Sequence, residues 1–143
     1  MFSNVQTPKL IEVAAGLIYN DGKILLCKRL PKKQFPLTWE IPGGKLEHLE
    51  TFEVALAREL KEELDIDVVV GKEIANVSFM NFDVHYFRII SYTGTPQNTG
   101  QNEDINWFRK EEIQFWLDFH YQDKIMPMDR VIAQLYFLEK GKQ

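Results

Sequence analysis

Apolar and polar positions alternate along this chain in two rhythms, one of strands and one of helices. Residues 10–19 (LIEVAAGLIY) and 23–29 (KILLCKR) are short β-prone runs, and Asn20-Asp21-Gly22 between them is a tight-turn signal, so the pattern predicts a hairpin. Residues 30–38 (LPKKQFPLT) carry two prolines and no period, which predicts a loop feeding a short extended piece at Trp39-Glu40-Ile41. Pro42 and the glycine pair Gly43-Gly44 follow, and the glycines are expected to open onto a helix. Residues 68–70, 75–82, 84–92 and 105–108 read as further strands, and 93–102 (TGTPQNTGQN) as a polar loop. Two more helices are expected, over 110–119 and 129–140, the second behind Pro127 with Val131, Ile132, Leu135 and Leu138 as its apolar stripe. Strands with helices interspersed, no repeat and no linker predict an α/β (α+β) fold with a mixed sheet, as one domain over residues 1–143.

The first helix carries the unusual pattern. Thr51 suits its N-cap, Glu53 its first turn, and Ala55 to Leu64 are good helix formers up to a break near Asp65. At about 100° per residue, with Glu59 at zero, Phe52 falls near 20°, Leu56 near 60°, Leu60 near 100° and Leu64 near 140°. Glu63 falls near 40° on the same scale, so Glu59 and Glu63 share the side that is apolar elsewhere, with Glu62 at its margin and Lys61 facing away. Like charges at i, i+3 and i+4 cost about 0.2–0.5 kcal/mol per pair, and half-burying them costs more unless a partner compensates. A divalent cation is such a partner, and Mg²⁺ takes oxygen ligands shared with substrate phosphates. An exposed, solubilising acidic face is the competing explanation.

Composition narrows the partners. A chain of 143 residues with 45% hydrophobic and 27% charged residues is of ordinary globular type. Its net charge of -4 lacks the basic footprint of a nucleic-acid or acidic-membrane binder, so any polyphosphate has to be held locally. The one cysteine, Cys27, builds neither a disulfide framework nor a cysteine-rich zinc site, and a cytoplasmic location is expected. No segment approaches the roughly 18 apolar residues that cross a bilayer. His48, His85 and His120 lack metal-ligand spacing and are expected to be structural or exposed.

The spacing Gly44, five residues, Glu50, seven residues, Arg58-Glu59-Leu60, one residue, Glu62-Glu63 resembles the Nudix box, and WEIPGGK before it resembles the MutT-like branch of the Nudix hydrolases. Asp65 stands where that pattern has glycine, and His48-Leu49 where a Pro-Gly turn is common. The resemblance implies a mixed β-sheet sandwiched between helices and a Mg²⁺-dependent hydrolase, with Mn²⁺ as a substitute. It implies metal ligation by Glu59, Glu62, Glu63 and the Gly44 carbonyl, and an Arg58 that pairs with acids such as Glu50 to fix the loop on the helix. The same resemblance leads one to expect Glu62 or Glu63 as base, with Glu62 preferred. It also implies that a late-loop acid, Glu103 or else Asp104, completes the set and that Arg29 meets substrate phosphates. Asp129, at the start of the last helix, either reads the nucleobase or caps that helix. Phe79, Phe82 and Phe87 are expected in the core rather than stacked on a base.

The activity so implied is that of a nucleoside triphosphate pyrophosphohydrolase releasing monophosphate and pyrophosphate, with oxidised or modified nucleotides among the substrates. The alternatives are hydrolysis of ADP-ribose or dinucleoside polyphosphates, and a non-catalytic nucleotide sensor. The expected partner is a small nucleotide, with no nucleic acid and no membrane, and the expected state a monomer or homodimer.

Overall fold

The computed structural model describes residues 9–119 and 121–137. His120, Leu138 and the residues after it lie outside them. In chain order the elements are β1 (Ile11–Leu17), β2 (Tyr19–Asn20), β3 (Lys23–Lys28), β4 (Trp39–Glu40), β5 (Gly43–Lys45), α1 (Phe52–Leu64), β6 (Asp67–Phe79), β7 (Phe82–Thr93), β8 (Asp104–Arg109), α2 (Lys110–Asp118) and α3 (Pro127–Ile132).

Period-two alternation along β1 and β3 decides how the layers stack. Ala14, Ile18, Leu25 and Cys27 join one buried cluster with Leu56, Leu60 and Leu64 of α1. Ala15, Leu17, Ile24 and Leu26 join the opposite one, with Tyr86, Phe108, Ile113 of α2 and Ile132 of α3. The strands are therefore sandwiched between α1 on one side and α2 with α3 on the other. One sheet runs β5-β1-β7-β6, with β1 parallel to β7 and the other pairs antiparallel; the second runs β2-β3-β4, with β8 also on β3.

The expected hairpin is only partly formed. Tyr19 and Asn20 pair with Ile24 and Lys23 across the turn, but β1 pairs with β5 and β7 instead of β3. The chain changes sheets at Ile18, whose carbonyl still accepts from Leu25 N at 3.0 Å. The glycine pair does not open straight onto the helix: Gly43 and Gly44 lie in β5, opposite Ala15 and Ala14. A Cβ on Gly43 would sit 2.0 Å from the Ala14 carbonyl oxygen, so only glycine allows this pairing. The run 75–82 crosses a turn at Met80-Asn81, where Met80 takes φ 55°, because that turn lacks the usual glycine or proline marker.

Both departures from the family pattern are absorbed by the backbone. Asp65 caps α1 in the left-handed conformation with φ 55°, and Leu49 takes φ 66° in the preceding loop with its side chain in solvent. The last helix begins two residues before its expected start. Met126 is its N-cap with Pro127 next, and after Ile132 the chain passes into a π turn through Phe137. Asp129 is not the cap; it is 95% buried in the helix's first turn, at 5% relative exposure.

Candidate active site

Thr51 caps α1 by accepting from Val54 N at 3.2 Å, which starts the helix where the loop from β5 arrives. Arg58, on the second turn, ties that loop down. Its Nε and Nη2 donate to the two oxygens of Glu50 at 2.7 and 2.8 Å, and Nη2 also donates to the Lys45 carbonyl at 3.1 Å. Nη1 reaches Glu59 at 3.0 Å and Glu62 at 3.3 Å. Glu50 also accepts from Glu47 N at 2.8 Å, and these bonds, Arg58's first, hold its carboxyl down at about 2.

Glu59 and Glu63 face inward, as their helical phase predicts, and Glu62 keeps 45% of its side chain in solvent. Burial pushes the Glu63 carboxyl well above the usual range, and the negative charges of Glu40 and Glu59 push it further. Burial likewise raises Glu59, against the pull of Arg58. A Cβ on Gly44 would lie 2.2 Å from the Glu59 carboxyl carbon, so this glycine lets the carboxylate rest against the β5 backbone. Inward carboxylates that burial and mutual repulsion penalise, seated on a backbone strand, form an oxygen-rich donor set of the kind a hard divalent cation takes. Among the described residues no three acidic, histidine or cysteine side chains converge tightly enough to form a ready-made cage.

Glu59 and Glu63 line a pocket of about 450 Å³ together with Arg29, Lys33, Glu40, Ile41, Val84, Met128 and Asp129. Arg29 donates through Nη1 to Glu40 at 3.0 Å and through Nε to the Gln34 carbonyl at 2.8 Å. On the same pocket wall Asp129 accepts from Tyr86 Oη at 2.6 Å and from Ile41 N at 2.9 Å. Burial lifts its carboxyl to about 7 in spite of both donors. Glu103 is exposed, its N–H taken by the Lys28 carbonyl at 2.9 Å, and the two residues before it, Gln101 and Asn102, line the pocket instead. Asp104 pairs with Lys28 at the start of β8 and is exposed as well. Loop 97–102 is clamped to the end of α1 by Gln97 N on the Leu64 carbonyl and Thr99 N on that of Glu63.

Phe87 is buried in the core and Phe79 half-buried, while Phe82 reaches the pocket wall. Lys33, in the loop between β3 and β4, also reaches that wall. His48 is exposed, and His85 packs on Phe52 between Glu73 and Asp83. Glu40 and Tyr86 escape a reading by pattern for different reasons. Glu40 sits in a two-residue strand too short to show a phase, and Tyr86 looks like any aromatic of a buried strand until its hydroxyl partner is known.

A fold with α1, its acids and the Arg58-braced loop at the mouth of one pocket is the architecture of a Nudix protein. The NUDIX domain family matches residues 9–129, and the chain belongs to this family, in its MutT-like branch. It is 38% identical over 108 residues to the CTP pyrophosphohydrolase of Escherichia coli (strain K12), covering 73% of this chain and 79% of that protein. It is also 38% identical over 117 residues to the 8-oxo-dGTP diphosphatase of Haemophilus influenzae, with 80% and 81% covered. The solution structure of the E. coli ORF135 protein superposes with a TM-score of 0.75 at 30% identity over 94% of each chain. The MutT protein of Methanosarcina mazei Go1 shares the fold, with a TM-score of 0.74 at 21% identity, over 97% of this chain and 100% of that one.

The raised Asp129 carboxyl gives a pH signature. Its folded-state value of about 7 lies above the ordinary 3.8, so its contribution to stability is full below about pH 4 and is lost as pH rises through 7. Asp129→Asn cannot ionise and is expected to be more stable than the parent at pH 8 by about 2–4 kcal/mol, with the gap closing near pH 4. Urea unfolding at the two pH values checks this; an equal gap at both would remove Asp129 as the cause.

Proposed function

We propose that this Nudix hydrolase is a Mg²⁺-dependent nucleoside triphosphate pyrophosphohydrolase, releasing nucleoside monophosphate and pyrophosphate, with oxidised or modified nucleotides among its substrates. The carrying observation is one pocket lined together by the inward carboxylates Glu59 and Glu63, by Arg29 and by the buried Asp129. Cation-binding oxygens, a guanidinium for phosphate and an acceptor for a base in one cleft support a nucleotide substrate. The named activities of the E. coli and H. influenzae relatives support the same class.

In this reading Glu59, Glu62, Glu63 and the Gly44 carbonyl hold the cation. When bound, the cation neutralises phosphate oxygens and lowers the pKa of a coordinated water. Arg29 Nη2, which makes no hydrogen bond among the described residues, is left to donate to a phosphate oxygen. Arg58 positions the helix acids and touches no substrate. Glu62, the exposed member of the trio, is assigned proton removal from the attacking water. Asp129, with both oxygens already accepting, turns its remaining lone pairs to N–H groups of the base.

The test is a product-resolved screen with Mg²⁺ over CTP, dCTP, GTP, 8-oxo-dGTP, ADP-ribose and a dinucleoside polyphosphate. Monophosphate and pyrophosphate from a triphosphate are expected. ADP-ribose turnover without triphosphate turnover would overturn the assignment.

A further inference from the structure

Glu40 is the pocket carboxylate that neither the acid helix nor the base-reading end accounts for. It sits on β4, half-buried, with 25% of its side chain open. One oxygen, Oε2, takes Arg29 Nη1 at 3.0 Å; Oε1 makes no hydrogen bond among the described residues. The next residue, Ile41, gives its N–H to Asp129, so Glu40 adjoins both Arg29 and the strand residue that holds Asp129. Its charge raises both Glu63 and Asp129, which places it within electrostatic reach of each. In a nucleotide whose phosphates lie at Arg29 and Glu63 and whose base lies at Asp129, the group that meets Glu40 is the sugar.

We propose that Glu40 is a specificity-determining residue whose free Oε1 accepts a hydrogen bond from a sugar hydroxyl, so that the pocket discriminates ribonucleotides from their deoxy counterparts. A carboxylate only accepts and a sugar hydroxyl donates, which is the pairing dinucleotide sites use for ribose. Arg29 fixes the side chain by occupying its other oxygen, and its charge opposes the burial that raises the Glu40 carboxyl. The inference rests on the nucleotide reading above and adds the sugar to it.

Calorimetric titration without metal, using CMP, 2′-deoxy-CMP and 3′-deoxy-CMP and the matching GMP series, tests it. With wild-type protein, removal of at least one hydroxyl is expected to weaken binding about tenfold, the value of a charge-assisted hydrogen bond at a half-open site. In Glu40→Ala the sugars should bind within about twofold of one another, and Glu40→Gln, which keeps one acceptor oxygen, should fall between. The within-base ratio cancels any loss through Arg29, since phosphate contacts are common to all three sugars. A wild-type protein that binds the three sugars equally would overturn the proposal, as would a preference that survives in Glu40→Ala. Binding intact with no sugar preference sinks this inference alone. Absence of all nucleotide binding, together with no turnover in the screen, sinks the nucleotide reading and this inference with it.

Discussion

Glu63→Gln is expected to lower kcat by about 10²–10³-fold while raising the melting temperature of the metal-free protein. The two effects have one cause. Glu63 is half-buried, its carboxyl raised by burial and by the nearby charges of Glu40 and Glu59, against the opposing pull of Lys33 and the Gly43 N–H. Because its folded-state value lies above the ordinary 4.5, ionisation at neutral pH weakens the folded state, and the amide removes that penalty while keeping the shape. The same amide lacks the charge that a cation and a developing phosphate transition state require. Glu62→Gln is expected to lose comparable activity without the thermal gain, since its carboxylate stands in solvent. Thermal unfolding with and without Mg²⁺ supplies the check: Mg²⁺ should raise the wild-type melting temperature and move that of Glu63→Gln little. Unchanged turnover in both variants would remove the acids from the mechanism.

How far such a site is legible in sequence depends on whether its residues share an element long enough to show a period. Glu59 and Glu63 are readable because a helix of 13 residues fixes their phase against Leu56, Leu60 and Leu64. Arg58 and Glu50 are readable through spacing, since Thr51 and the first turns of α1 fill the interval between them and helix geometry fixes their separation. Asp65 at a left-handed cap follows from the helix ending there, whatever residue fills the position. What sequence leaves dark is long-range pairing. The Tyr86 and Asp129 bond joins residues 43 apart, and that of Ile41 with Asp129 spans 88. Neither partner's type or local period points to the other, so Asp129 stands as a cap or a base reader until the fold sets it against Tyr86 and Ile41 on the pocket wall.

The same limit explains the strand errors. A continuous apolar run such as residues 10–19 specifies extended backbone but not which sheet receives it, and here the run divides at Ile18 between two sheets. Likewise the late-loop acids fit Glu103 by position alone, whereas β8 pairing from Asp104 and the Lys28 carbonyl on Glu103 N orient that corner outward and bring Gln101 and Asn102 to the wall.

Arg58→Ala is expected to lower the melting temperature by about 5–10 °C and to reduce turnover even though the arginine meets no substrate. The fork on Glu50, the bond to the Lys45 carbonyl and the contacts with Glu59 and Glu62 all end on one guanidinium. Without it, the loop that delivers Gly44 to Glu59 loses its brace, and the helix carboxylates Glu59 and Glu62 lose the counter-charge of Arg58. Arg58→Lys restores the charge but not the planar fork, so it is expected to recover less than half of the lost stability. The acid limb of the stability profile separates this account from a general packing loss. Glu50 is held at about 2 against an ordinary 4.5, so its stabilising contribution is present above pH 4.5 and is lost as pH falls toward 2. Arg58→Ala removes the largest cause of that depression, and its stability should fall less steeply than wild type over the same interval. A melting profile from pH 2 to 7 with the same acid limb in variant and wild type would show that Arg58 is not what keeps Glu50 ionised.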